Sequence, residues 1–176
     1  VKEIQLKGGN VSGVVNVVGS TIARQCGRGV YIHSGPEQAV ASTKAFTNMT
    51  AALVMFSVQI GRARSLTRNR GRELVKDLNK IPDQLEAYLA KPGPIMEAVD
   101  AVKDAKMVLF LGRGVSASVA REGALKLMEV AYIPCLAYPA AEMKHGPIAL
   151  LEPGSPVVVI APNDELKEKT RSNIQE

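Results

Sequence analysis

Tryptophan is absent, and aromatic side chains amount to four tyrosines and three phenylalanines in 176 residues. Cysteine and histidine are equally scarce, at two each. Cys26 and Cys135 form no CxxC pair, which argues against a disulfide framework or a Cys/His zinc centre. Both thiols are expected as small apolar core groups in a reducing compartment. The longest apolar stretches, 51-AALVMFSVQI-60 and 156-PVVVIAP-162, are about ten residues or fewer, too short for a membrane-spanning helix. The first residues, VKEIQLKGGN, lack the hydrophobic core of a signal peptide, so a cytoplasmic protein with no membrane partner is expected.

What is present is ordinary globular material. Hydrophobic residues make up 46% and charged residues 22%, which excludes disorder, collagen and coiled coil. The length suits one domain or two part-domains with a real core. Lysine and arginine total 22 against 17 acidic residues, a net charge of +5 that favours anionic partners. The excess is local: 61-GRARSLTRNRGR-72 holds five arginines and no acid. No aromatic lies in that run and no nucleic-acid motif follows it, so it is expected as a solvated turn between helices, with no nucleic-acid role.

Along the chain, a helix end stops at Gly8-Gly9, and strands are expected in 11-VSGVVNVV-18 and 30-VYIH-33. A helix follows from Val40 to about Ile60, then another from about Arg72 to Ala90. In the second, Leu74, Leu78, Ile81, Leu85 and Leu89 recur every three or four residues, the pattern of one buried face that Pro82 bends or interrupts. The segment 91-KPGP-94 marks a boundary. Beyond it come a short helix over 95–102, strand 107-MVLFLG-112, a helix over about 118–130, a strand near 136–138, a helical or turn segment around Lys144, strand 157-VVVIA-161 and a final helix from Asp164. Apolar strands alternating with helices point to an α/β fold with three α-β-α layers and a parallel sheet. Two strands precede the helical middle and three follow it, which leaves open a single composite five-stranded sheet.

Three polar clusters stand out. Glu122, Lys126 and Glu129 share one helix face, either as ordinary surface ion pairs or as a carboxylate base beside a cation. The second arrangement suits moving a proton between adjacent carbons of a sugar phosphate, with the ammonium stabilising the developing charge. In 142-EMKHGP-147, His145 lies downstream of a strand, where parallel sheets commonly place sites, and can pass a proton to or from a ring oxygen. His33 reads as structural. In 35-GPEQAVASTKAFT-47, Ser42 or Thr43 either caps the following helix or holds a polar ligand at its N-terminus. The turn 112-GRGVSAS-118 matches neither a dinucleotide fingerprint nor a P-loop and reads as a strand-to-helix turn capped by Ser116 or Ser118.

The combination GPE-x-x-VASTKAFT, FLGRG, EGALKL-x-E and KHGP-x-AL resembles the sugar-isomerase (SIS) region of the glutamine–fructose-6-phosphate transaminase (isomerizing) family over essentially the whole chain. The resemblance implies the end of one doubly wound domain over 1–60, inter-domain helices over 61–104 and the start of a second domain over 105–176. It implies that Glu129 moves a proton between C1 and C2, with Lys126 one turn before it and Glu122 in support. By the same likeness His145 opens the sugar ring from across a homodimer, and Val40 and Ser42, with Thr43 in support, contact the sugar phosphate. The implied ligand is fructose 6-phosphate or glucosamine 6-phosphate, with no redox cofactor and no metal.

Met128, Pro134 and Ala141 depart from the family pattern without removing a named group. The family's phosphate-binding loop, Schiff-base lysine and glutaminase domain have no counterpart in these residues, so the isolated chain is expected to be inactive. A related sugar-phosphate deaminase or deglycase, or a non-catalytic phosphosugar-binding or dimerisation module, are the alternatives.

Overall fold

The computed structural model describes residues 1–175, in two compact units that divide between Ala90 and Lys91. The division falls at the 91-KPGP-94 segment, where proline and glycine end one helix before the next begins.

The first unit runs α1 (Lys2–Leu6), β1 (Gly13–Val15), α2 (Thr21–Cys26), β2 (Gly29–Tyr31), α3 (Lys44–Arg64) and α4 (Arg68–Leu89). Strands β1 and β2 pair in parallel, Val14 opposite Val30. Helix α2, the crossover between them, is not anticipated from the sequence. Its six residues span less than two turns and show no periodicity, yet Ser20 Oγ accepts the Ala23 amide at its start and Gly27, in the left-handed conformation, ends it.

The arginine-rich run is mostly helical, contrary to the expected turn. Arg62 and Arg64 close α3, Arg68 opens α4, and only residues 65–67 lie outside a helix. Helix α4 continues through Pro82. Its expected apolar face is only partly covered: Leu74 and Leu78 are half-buried, while Ile81, Leu85 and Leu89 are exposed. The early turns pack on α3, where Leu66 and Leu74 line a crevice with Leu53 and Val54.

The second unit runs α5 (Gly93–Val102), β3 (Val108–Gly112), α6 (Val115–Ala131), β4 (Cys135–Pro139), 3-10 helices over Ala140–His145 and Pro147–Leu150, β5 (Val157–Ile160) and α7 (Lys167–Gln175). Its sheet is parallel in the order β4-β3-β5, with Phe110 opposite Ala137 and Val158. Central β3 is buried along its whole length. Alternation along the strand sends Val108 and Phe110 to one face, against Ala120 and Ala124 of α6, and Leu109 and Leu111 to the other, against Ala140 and Met143. A strand covered on both faces must be apolar at every position, which is why 108-VLFL-111 shows no polar alternation.

The strands therefore form two separate parallel sheets, one of two strands and one of three. The composite five-stranded sheet is overturned. Both cysteines are buried free thiols. Burial pushes the Cys135 thiol above its ordinary range, and its Sγ donates to the Ile133 carbonyl at 3.2 Å.

Candidate functional site

Helix α6 carries the first cluster. It begins after a tight turn at 112-GRG-114, and Gly112 is required there because a Cβ would lie 2.2 Å from the Ser116 carbonyl oxygen. The helix lies close on β3 through small residues: Ala117, Ala120 and Ala124 are buried, and a Cβ at Gly123 would press on the Phe110 ring at 3.1 Å. The expected serine cap is absent. Gly114 takes the N-cap position with no side-chain hydrogen bond, and Ser116 is buried one residue inside the helix.

With small residues against the sheet, offsets of four and seven bring Glu122, Lys126 and Glu129 together on one face. Lys126 Nζ donates to Glu129 Oε2 at 2.5 Å and stands 3.5 Å from Glu122 Oε1. All three side chains are about a quarter exposed, in contrast to the Lys7–Glu3 pair at 75% and 80%. The Glu129 hydrogen bond, opposed by partial desolvation and helped by the charge of Glu122, raises the Lys126 pKa and keeps the amine protonated. The result is an ammonium shared by two carboxylates.

His145 ends the 3-10 helix that follows β4 and is exposed, whereas Met143 of the same helix is buried. Lys126 and Glu129 lie near the end of α6, which leads into the start of β4, so Glu129 and His145 belong to opposite ends of that strand. Hydrogen-bond and ion-pair contacts join Lys126 to Glu122 and Glu129, and among the described residues none joins His145 to them. Arg113, not anticipated as a tie, donates from Nη1 to Asn173 Oδ1 at 2.8 Å and links the turn before α6 to α7. A contact across 60 positions leaves no local signal.

In the first unit, Val40, Ser42 and Thr43 occupy the loop leading into α3. Val40 is 88% exposed, Ser42 is half-buried and Ala41 between them is buried. Thr43 is at the N-cap position but makes no capping side-chain bond, so the expected hydroxyl cap is corrected. Glu37 supplies the cap instead: its Oε1 accepts the Thr43 amide at 3.1 Å and the Ala45 amide at 2.9 Å. The Ala45 amide, against some desolvation and assisted by the Thr43 amide, Lys44 and the Ser42 hydroxyl, holds the Glu37 carboxyl below its ordinary range. Asn16 fastens the loop's beginning, donating from Nδ2 to the Gly35 carbonyl at 2.6 Å and accepting the Ser34 amide at 2.8 Å. His33 lies just after β2 at φ 49°.

Among the described residues no group of three His, Cys, Asp or Glu is placed to hold a metal ion, and no helix is long and apolar enough to cross a membrane.

The family model described as SIS domain matches residues 101–176. The glutamine–fructose-6-phosphate aminotransferase (isomerizing) of Chlorobaculum tepidum is 46% identical over 97% of this chain, and that of Thermus thermophilus is 46% identical over all of it. The chain spans only 28% and 29% of those relatives. The solved C-terminal domain of glucosamine-fructose-6-phosphate aminotransferase from Francisella tularensis superposes with a TM-score of 0.89 at 38% identity, over 93% of this chain and 47% of that one. The matched domain, the parallel α/β architecture and the near end-to-end alignment agree: residues 101–176 match the SIS-domain model, and over nearly its whole length the chain is similar to part of the glutamine–fructose-6-phosphate aminotransferases (isomerizing).

Proposed function

We propose that this chain forms part of the isomerase region of a cytoplasmic, homodimeric enzyme that converts fructose 6-phosphate and glutamine to glucosamine 6-phosphate and glutamate. The observation that carries the reading is the half-buried Glu122–Lys126–Glu129 face, where an ammonium lies 2.5 Å from a carboxylate. In this reading residues 1–60 and 105–176 belong to two successive isomerase domains, with 61–104 between them. Val40 and Ser42, with Thr43 beside them, meet the sugar phosphate.

Glu129 removes a C1 proton of the open-chain protonated C2 imine; the C1–H bonding pair becomes a C1–C2 double bond and the C2–N π pair moves onto nitrogen, leaving a neutral enamine. Glu129 then returns the proton to C2, where the C1–C2 π pair takes it; the O1–H pair becomes the C1 carbonyl bond, and the O1 proton passes to the product amine. Lys126, retained by Glu122 when Glu129 is neutral, stabilises charge developing on oxygen. His145 passes the ring-oxygen proton during opening. In this reading His145 serves the site of the second copy.

The test is made on the complete gene product. Glu129→Gln is expected to slow isomerisation by about 10²- to 10⁴-fold, the usual contribution of a positioned base. Co-expressing Glu129→Gln with His145→Ala chains is expected to restore about a quarter of wild-type activity, because half of randomly paired dimers keep one intact site. Full activity in Glu129→Gln defeats the catalytic assignment, and no restoration on mixing defeats the shared site.

A further inference from the structure

We infer that Glu37 is the positioning residue for the sugar-phosphate loop, acting through Val40 and Ser42 without touching the ligand. The inference rests on the proposed contact of those two residues with the sugar phosphate. An ordinary Ser or Thr cap satisfies one helix amide from the adjacent position. Here the acceptor comes from six and eight residues upstream, as Glu37 Oε1 takes the Thr43 and Ala45 amides together. The bond therefore does more than cap α3: it closes residues 38–42 into a small ring of chain. Of those five, only Ala41 is buried, at 3%, and Val40 is 88% exposed. Packing alone gives this loop one anchor, so the carboxylate supplies the second.

The loop's entry is held independently. Asn16 grips Ser34 and Gly35, and Asn48 Nδ2 donates to Ser34 Oγ at 2.7 Å. Glu37 holds the exit. With both ends fixed, Val40 and Ser42 are presented in one arrangement before any ligand arrives, which reduces the ordering cost of binding. Without Glu37 the exit is tied only through α3 itself, and the ligand must order the loop.

The experiment titrates fructose 6-phosphate into the complete gene product by calorimetry and measures isomerisation kinetics on wild type, Glu37→Ala, Glu37→Gln and Ser42→Ala. Glu37→Ala is expected to weaken binding about tenfold, with kcat within about twofold, the signature of lost ground-state binding. Glu37→Gln keeps the shape and one acceptor oxygen, and is expected to recover about half of that loss on a logarithmic scale. It also carries the test if the alanine variant does not fold.

Unchanged binding in both Glu37 variants with weakened binding in Ser42→Ala overturns the positioning role and leaves the sugar-loop reading standing. Unchanged binding in all three variants removes the sugar-loop reading and the inference with it. A lowered melting temperature and lowered kcat with unchanged affinity reduces Glu37 to a fold-stabilising cap, which also overturns the proposal.

Discussion

The two units use similar elements and reach very different degrees of closure. In the second, Val108, Leu109, Phe110 and Leu111 are buried on both faces of a central strand, with Ala120, Ala140 and Met143 against them. In the first, the buried apolar residues are Val15, Cys26, Ala41, Ala45 and Ala52, none larger than valine. Its two strands are three residues each, and Val17, Val18, Ile22 and Val30 face solvent. A two-stranded sheet has no central strand, so neither member is flanked on both sides and little apolar area is enclosed. The difference extends to the candidate site. The charged face of α6 is held by a helix packed on its own sheet, whereas the 38–42 loop depends on individual polar ties from Glu37 and Asn16.

The largest test of that contrast removes a fully buried side chain. Leu109→Ala is expected to destabilise the second unit by about 2–5 kcal/mol, the range for a deleted core leucine, read from chemical denaturation with a probe on each unit. An equal loss in both units would show that they unfold as one and break the comparison. Gly112→Ala follows, at about 1–3 kcal/mol, because its methyl would collide with backbone rather than with a flexible side chain. A thermal melt that matches wild type would refute the close approach of α6 to β3.

Acid sharpens the comparison from the other unit. The folded-state pKa of Glu37 lies below the ordinary 4.5, so the stabilisation it gives the loop is present above 4.5 and is lost as pH falls through the lowered folded value. Faster exchange of the Thr43 and Ala45 amides is expected in that window, after allowing for the intrinsic pH dependence, while β3 amides stay protected. Smallest of all is Lys103→Ala, which removes an exposed 2.7 Å pair with Asp100. It is expected to change stability by about 0.5 kcal/mol or less. A loss comparable with Leu109→Ala would show that surface charge, rather than the apolar core, holds the second unit.

Part of this protein is written in local pattern. The run 108-VLFL-111, bounded by a lysine-containing turn and by glycine, identifies a doubly buried strand, and 91-KPGP-94 marks the division between units. The four- and three-residue steps from Glu122 to Lys126 to Glu129 predict one helix face, because the pitch of a helix is set by its own backbone. These readings need only near neighbours, and the structure agrees with them. The arginine run misleads because arginine is itself a good helix former, and charge density says little about where a helix stops.

Tertiary contacts decided what near neighbours cannot. Strand count alone does not say which strands pair, and pairing made two sheets rather than one. The apolar face of α4 has the right period, but burial requires an opposing surface, and Ile81, Leu85 and Leu89 stay exposed by 40%, 46% and 65%. Glu37 displaced the expected hydroxyl cap because the path of the loop carried its carboxylate back to the Thr43 and Ala45 amides. Sequence by itself determined the existence of the longer helices, the core strand and the charged face, since backbone geometry and hydrophobic spacing act over a few residues. Folding in three dimensions determined the sheet partners and the loop tie, since these depend on where distant segments of chain meet.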